Sequence, residues 1–181
     1  MLTPRQKRLL DDLAGRYFGV YPGIVVNNRD PDGLGRLLVR MPTLFLDPGR
    51  DTLAWARVAL PYAGPGYGMW LPPQIDDEVL VAFEAGDLER PWIIGRAWNG
   101  TDRPPGDGVA LTDRGMLIRT PAGYRILIDE AGQVVRVDHP SGMALVIEAG
   151  VARLEDGSGG KVELQDGSAV ILQGASGSPV R

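Results

Sequence analysis

The last third of the sequence repeats itself, and this repeat constrains the fold more than any other feature. Successive copies begin at Thr120, His139 and Gly157, at spacings of 19 and then 18 residues. Each copy contains two short β-rich segments separated by tight turns. A repeat of this size, made of short strands, predicts a β-solenoid or a stacked array of strands.

Within the repeat, apolar residues alternate with charged ones, which is typical of a sheet that is buried on one face and solvated on the other. The charged set includes Arg125, Arg136, Glu148 and Arg153. The apolar set, which we expect to form the buried face, comprises Ile126, Ile128, Val135, Val137, Met143, Leu145, Ile147, Val162, Leu164, Val170 and Leu172.

A single chain with this repeat would bury little apolar area and would leave its sheet edges open. Three chains wound around a common axis remove both problems. Each apolar face then meets the other two, and each edge strand pairs with a neighbour. We therefore expect a homotrimer in which the apolar set of the repeat forms the core.

The sequence between residues 20 and 105 predicts a second β domain. Its β-rich segments are separated by clusters of Gly, Pro, Asp and Asn, which favour turns. The segments are Ile24-Val25-Val26, Leu34–Met41, Leu53–Leu60, Glu78–Glu84 and Pro91–Trp98. Five short strands with long loops suit a five-stranded Greek-key barrel. Trp55 is predicted to fill its interior, and periodicity alone also allows other small barrels.

The start of the chain carries helical signals. Thr3 can cap a helix, Pro4 suits the first turn, and Gly19 follows the expected end, so the pattern predicts a helix from Arg5 to Phe18. Its apolar stripe is formed by Leu9, Leu10 and Leu13. This stripe would either cover the chain's own barrel as a lid or contact another subunit.

These patterns divide the chain into three regions. We expect an N-terminal helix at residues 1–19, a barrel at 20–105 and a β-helix at 106–181. The boundary between the last two lies in the segment 101–108, where Pro104-Pro105 excludes both a helix and a central strand.

Several spaced motifs in the barrel region agree in their order with a known family. They are Tyr21–Val25, Gly35–Arg40, Trp55–Ala59, Gly64–Pro73, Asp77–Asp87, Pro91–Gly95 and Trp98–Gly100. In this order they resemble the oligonucleotide/oligosaccharide-binding (OB) barrel of contractile-tail spikes. These spikes are the phage baseplate assembly protein V family and the VgrG spikes of type VI secretion. The resemblance selects the OB topology among the small barrels.

The resemblance also implies a function and a set of partners. Spikes of this kind carry an intertwined three-chain β-helix behind the OB barrel, and they puncture a target envelope. We do not expect this chain to be an enzyme. We expect a separate hub protein to contact Leu9, Leu10 and Leu13. A tip protein of the PAAR-repeat type is expected to contact Val170, Leu172 and Gly174. The implied location is the baseplate or spike of a phage or phage tail-like particle, assembled in the bacterial cytoplasm.

Residues with catalytic or metal-binding chemistry are sparse. The sequence has no cysteine and one histidine, His139, at a corner of the repeat whose counterpart is Thr120. A carboxylate cluster at Asp76, Asp77, Glu78, Glu84 and Asp87 is explained more simply by turn formation and edge protection than by acid–base catalysis. No cofactor or metal is therefore predicted.

Charge and hydropathy bear on the remaining function classes. A formal net charge of −4 gives no electrostatic footprint for nucleic acid. The first residues lack the apolar core of a signal peptide, and no apolar run approaches the roughly 18 residues of a membrane-spanning helix. The alternatives are an OB-fold nucleic-acid-binding protein and a carbohydrate-active β-helix protein.

Overall fold

The computed structural model describes residues 2–44, 52–105, 115–165 and 167–172. The chain is almost entirely β structure with one short α-helix. It divides into two compact units, Met1–Asp102 and Arg103–Arg181. Among the described residues, no helix has the length and hydropathy needed to cross a membrane.

Helix α1 spans Pro4–Leu13 and begins with the predicted cap. The Gln6 backbone N–H donates to Thr3 Oγ1 at 3.2 Å, and the Thr3 N–H donates to Gln6 Oε1 at 2.8 Å. This reciprocal pair is a capping box. The prediction that the helix continues to Phe18 is wrong. Gly15 adopts a left-handed φ of +77°, which ends the helix shortly after Leu13.

The first unit contains the predicted five-stranded barrel. Its strands are β1 (Tyr21–Asn27), β2 (Leu37–Met41), β3 (Thr52–Val58), β6 (Glu78–Phe83) and β7 (Pro91–Arg96). They close in the order β1-β2-β3-β7-β6, with β6 returning to β1. The β3–β7 pair is parallel and the other pairs are antiparallel. This mixed closed barrel confirms the OB-like fold class.

A small hairpin, which the sequence did not predict, lies between β3 and β6. It consists of β4 (Ala63–Gly64) and β5 (Tyr67–Gly68). The Tyr67 ring lies against the backbone of Gly64. A Cβ atom added to Gly64 would lie only 2.2 Å from Tyr67 Cζ. Every residue from 61 to 71 is exposed.

The barrel encloses one hydrophobic core contributed by all five strands. Its buried members are Val25, Leu37, Val39, Met41, Leu44, Ala56, Val79, Val81, Phe83 and Ile93. The prediction that Trp55 fills the interior is wrong. Because side chains alternate across a strand, burial of Ala56 places its neighbour Trp55 on the outer surface. There the Arg36 guanidinium lies 5.8 Å from the centroid of the Trp55 ring.

The second unit is one antiparallel sheet of seven strands that follow each other in chain order. They are β8 (Gly115–Arg119), β9 (Arg125–Asp129), β10 (Val134–Asp138), β11 (Ala144–Glu148), β12 (Val151–Glu155), β13 (Lys161–Gln165) and β14 (Ser168–Leu172). Such a meander is consistent with one chain's share of a β-helix.

The turns along one edge of this sheet confirm the repeat and adjust its phase. The N–H groups of Thr120, His139 and Asp156 donate to the carbonyls of residues four further on, at 2.9, 2.8 and 3.0 Å. The three residues therefore open equivalent turns. The third copy begins at Asp156, one residue earlier than predicted, because its carboxylate accepts the Ser158 and Gly160 N–H groups.

Candidate functional site

The register of the second unit places apolar side chains on one face in two continuous rows. Residues paired directly across antiparallel strands share a face, so each row crosses all seven strands. The first row is Ile118, Ile126, Val137, Leu145, Leu154, Val162 and Ile171. The second row is Met116, Ile128, Val135, Ile147, Ala152, Leu164 and Ala169.

These two rows, here called the apolar face, are open to solvent in the single chain. Leu145 is 41% exposed, Leu164 is 55% exposed and Ile171 reaches 73%. Soluble monomers rarely leave a contiguous apolar patch of this extent uncovered. The apolar face is therefore the strongest candidate for an interaction site among the described residues.

Most of the predicted core residues lie in the two rows, but the assignment of Val170 to the same face is wrong. The register pairs Val170 with Glu163, which places Val170 on the charged face. Ile171 and Ala169 occupy the rows instead. The run Ala169–Leu172 is apolar without alternation, so the sequence offered no signal for choosing between the two faces.

The rows also contain residues that the sequence analysis did not include. Leu154 lies between Arg153 and Glu155, so strict alternation would have identified it. Met116 and Ile118 belong to β8, which precedes the first recognised copy of the repeat. Met143 lies in the turn before β11, where its carbonyl accepts the His139 N–H, and it is not part of either row.

The opposite face of the sheet carries ion pairs that are formed within one chain. Arg125 and Arg136 each place Nε on the Asp138 carboxylate, at 2.8 and 2.5 Å. Arg136 also reaches Glu155 at 3.5 Å. Partial burial opposes ionisation of Asp138, but the hydrogen bonds and Coulombic attraction of the two guanidinium groups outweigh it and lower its pKa.

The same charged face continues toward β13. Arg153 contacts Glu148 and lies 2.8 Å from Glu155, and Lys161 lies 2.8 Å from Glu163. The hydrogen bond from Arg153 lowers the pKa of the Glu148 carboxyl. Beneath these side chains Val146 is fully buried. The charged groups of this face are thus paired within one chain, whereas the side chains of the apolar face remain uncovered.

The predicted hub and tip residues are only partly described. Leu13 is 44% exposed, and the side chains of Leu9 and Leu10 lie outside the described residues. Leu13 does not belong to the barrel core. Gly174 and the Leu172 side chain also lie outside the described residues.

The structure does not bring the predicted carboxylates together as an acid–base pair. Asp76, Asp77 and Glu78 lie at the start of β6, and Glu84 and Asp87 lie beyond its end. Asp77 accepts the Gln74 N–H at 2.8 Å, and Asp87 accepts the Glu89 N–H at 3.0 Å. Asp77 and Asp87 therefore shape turns.

His139 has a structural role in its turn. Its Nδ1 accepts the Ser141 N–H at 3.1 Å, and its ring meets Tyr124 edge-on with centroids 5.0 Å apart. Thr120 Oγ1 similarly accepts a backbone N–H, from Tyr124 at 3.1 Å. Among the described residues, no group of three or more His, Asp or Glu side chains could hold a metal ion.

Two tryptophans on the barrel strands have arginine side chains over their rings. The Arg57 guanidinium lies 4.0 Å from the Trp92 ring centroid, in addition to the Arg36–Trp55 contact. Single-stranded nucleic acids stack their bases on open aromatic rings. Trp55 and Trp92 are thus occupied, whereas Trp70 and Trp98 are 52% and 65% exposed.

Known proteins resemble the barrel region. Residues 21–98 match the family model of the type VI secretion system/phage-baseplate injector OB domain. The spike protein VgrG3 of Vibrio cholerae is 35% identical over 75 residues, which is 41% of this chain and 7% of that protein. The spike protein VgrG2a of Pseudomonas aeruginosa is 36% identical over 89 residues, which is 48% and 10%.

A third relative carries a different name. The actin cross-linking toxin VgrG1 of V. cholerae is 35% identical over 75 residues, again 41% of this chain and 7% of that protein. The chain therefore aligns with about a tenth or less of the length of these three relatives. The matches confirm the predicted resemblance to baseplate V and VgrG-type spikes.

Proposed function

We propose, from the premise that residues 21–98 form an injector OB domain, that the chain is the structural central spike of a contractile tail or injection system. In this proposal it acts as a homotrimer, sits under a separate hub and punctures the target envelope. The observation that carries the proposal is the open apolar face of the second unit, on a chain that also has this OB domain.

A homotrimer would complete the burial that one chain leaves open. Three apolar faces turned toward a common axis would remove the two rows from water, and burial of each large aliphatic side chain contributes about 1.5–3 kcal/mol. The charged faces would remain outside, where their ion pairs are already formed. Pairing of β8 and β14 with neighbouring chains would also protect the two edge strands.

The same arrangement would give the spike its stiffness. A sheet shared among three chains resists bending because many interstrand hydrogen bonds must break together. The proposed role needs no catalytic residue, and we propose that the chain is not an enzyme. We further propose that it is assembled in the bacterial cytoplasm and functions on the particle.

The hub and the tip protein are proposed to bind at opposite ends of the sequence. The hub contact is proposed through Leu9, Leu10 and Leu13, and the exposure of Leu13 supports it. At β14, Ile171 faces the apolar rows and Val170 faces the charged side, so this strand is apolar on both faces. Strands of that kind are usually covered on both sides. A PAAR-type protein contacting Val170, Leu172 and Gly174 would provide this cover.

Light scattering on the purified chain tests the assembly. The proposal expects a particle of three times the chain mass of 19.5 kDa. Dilution should not yield a folded smaller species, because the apolar faces would then be exposed. A folded monomer that persists at high concentration would overturn the proposal.

A further inference from the structure

The sheet of the second unit has two margins formed by its turns and by the strand residues that flank them. The first margin joins β8 to β9, β10 to β11 and β12 to β13, and the second margin joins β9 to β10, β11 to β12 and β13 to β14. The two margins therefore lie at opposite ends of the same strands.

The apolar side of the sheet has a different shape at each margin. Near the first margin, Met143 and Leu154 are 55% and 57% exposed. Because side chains alternate along a strand, Met143 lies on the same side as Leu145, two residues further on. Near the second margin there is instead a cavity of about 620 Å³. Its lining includes Ile147, Gly150, Ala152, Leu164, Gly167 and Ala169.

The dimensions of the sheet favour strands that lie across the axis of the proposed trimer. Each of the seven strands has 5 residues. Such strands are about 17 Å long, so three sheets with strands across the axis form a triangle whose centre lies about 5 Å from each side. Packed sheets, which are about 10 Å apart, need that same distance to their mid-plane. Strands along the axis would give sides of roughly 30 Å and a centre roughly 9 Å away, too far for the side chains to fill.

A rotation axis brings the first margin of one chain against the second margin of the next chain, at the same height along the axis. The charges favour this head-to-tail contact. Among the described residues, the second margin has three carboxylates, Asp129, Glu130 and Glu148, and no Lys or Arg. The first margin has as many basic as acidic residues, the basic ones being Arg119, Arg125 and Lys161. Two second margins would repel each other, whereas the cations of a first margin can face these carboxylates.

We infer that each chain inserts Met143 and Leu154 into the cavity at the second margin of the next chain. The cavity extends from β11 to β14, and the two side chains lie at the heights of β11 and β12. Nothing lies within 4 Å of a Cβ atom added at Gly150, so the turn leaves room for a neighbour. β8 and β14 then form the two ends of the assembly, and at β14 the neighbouring chain is the proposed tip protein.

This inference deepens the proposed function, since it rests on the homotrimer and names the residues through which the copies meet. Crosslinking tests it directly, because the chain has no cysteine of its own. Met143→Cys/Ala149→Cys places thiols on opposite margins at β11, and Tyr124→Cys/Glu130→Cys does so at β9. Within one chain, thiols six residues apart on an extended strand are about 20 Å apart, too far for a short bis-maleimide to bridge. The reagent should therefore join chains, and a denaturing gel should show covalent dimers and trimers of both variants.

Tyr124→Cys/Ser168→Cys is the matched control. It keeps the first thiol and moves the second to β14, five strands away or about 24 Å along the axis. This variant and each single cysteine variant should run as single chains on the gel. Variants that are trimeric by light scattering but give no crosslink, or no more than the control, would overturn the inference and leave the proposed trimer intact. A wild-type chain that is monomeric by light scattering would instead contradict the proposed function.

Discussion

The two units of this chain bury their apolar residues in different ways. In the barrel, Val25, Val39, Val79 and Val81 are completely buried within a single chain. In the sheet, the only large side chain buried to that extent is Val146, among the described residues, and it lies under the ion pairs. The difference indicates that one unit completes its core within the chain and the other leaves its apolar face uncovered.

Topology explains this difference. The barrel closes on itself through the β3–β7 and β6–β1 pairs, so its strands enclose an interior. The second unit is a single layer with β8 and β14 at its two edges. A single layer has no second face to pack against, and a domain needs two packed layers for a core.

The largest expected effect comes from charging the apolar face. Leu145→Asp, in the middle of the first row, should abolish trimerisation, because three unpaired carboxylates near one axis would cost roughly 4 kcal/mol or more per chain. Light scattering measures the loss of the trimer. All four tryptophans lie in the first unit, so tryptophan fluorescence should still report a folded barrel.

Gln165→Asp is the control for this substitution. Gln165 pairs with Val151 on the charged face, so its replacement should leave the trimer intact. If Leu145→Asp remained trimeric, or if Gln165→Asp dissociated equally, the two faces of the sheet would not differ in the way described.

A smaller effect is expected from overfilling the barrel. Gly23→Ala would place a Cβ atom 2.4 Å from Val39 Cγ1 and 3.1 Å from Val81 Cγ2. Overpacking of this kind typically costs about 1–3 kcal/mol. Thermal unfolding followed by tryptophan fluorescence should shift to lower temperature while the oligomeric state is unchanged.

Gly100→Ala provides the comparison, since nothing lies within 4 Å of the added Cβ atom there. Its unfolding temperature should match the wild type. If Gly23→Ala dissociated the trimer, the barrel core and the assembly of the sheet would not be independent of each other.

Acid should weaken the charged face of the sheet. Folding lowers the pKa of Asp138 below its usual 3.8 and that of Glu148 below its usual 4.5. The stability that these carboxylates contribute is therefore full above those values and is lost as the pH falls through the lowered pKa values. Amide hydrogen exchange in β10 and β11, measured relative to the intrinsic rate of an unfolded chain at the same pH, should accelerate below about pH 4.

Asp138→Asn isolates one of these groups. Its exchange rates should depend less on pH across the same window, and they should exceed those of the wild type at neutral pH. An unchanged pH dependence in this variant would show that the pairs with Arg125 and Arg136 do not stabilise the sheet.

The smallest expected effect distinguishes the two faces of β14. Ile171→Thr should weaken the purified trimer by about 1 kcal/mol, because Ile171 lies in the first row. Val170→Thr should have little effect, since Val170 faces the charged side. The dissociation midpoint in denaturant measures both variants, and a larger effect of Val170→Thr would restore the face assignment expected from the sequence.

Much of the fold could be predicted because several local signals agreed. Turn residues bounded each of the five barrel strands, and the alternation in the repeat identified most of the apolar face. The resemblance in residues 21–98 selected the OB topology, which periodicity could not do.

The errors arose where one signal was missing or misleading. Trp55 is large and aromatic, which is typical of a buried residue. Because its neighbour Ala56 faces the interior, Trp55 faces outward. Gly15 ended the helix before Phe18, and either Gly15 or Gly19 could supply the left-handed residue that ends a helix. The register of β14 depends on its pairing with β13, which the run Ala169–Leu172 does not encode.

In the proposed trimer, partner chains cover the apolar face of the sheet. Met116 in the second row is 47% exposed in the single chain, and Met69 on the barrel is 46% exposed, so the two are matched probes. Dilute peroxide converts accessible methionine to its sulfoxide, and mass spectrometry of peptides measures each rate. Burial by partner chains predicts that Met69 oxidises readily while Met116 is protected; equal oxidation of the two would contradict it.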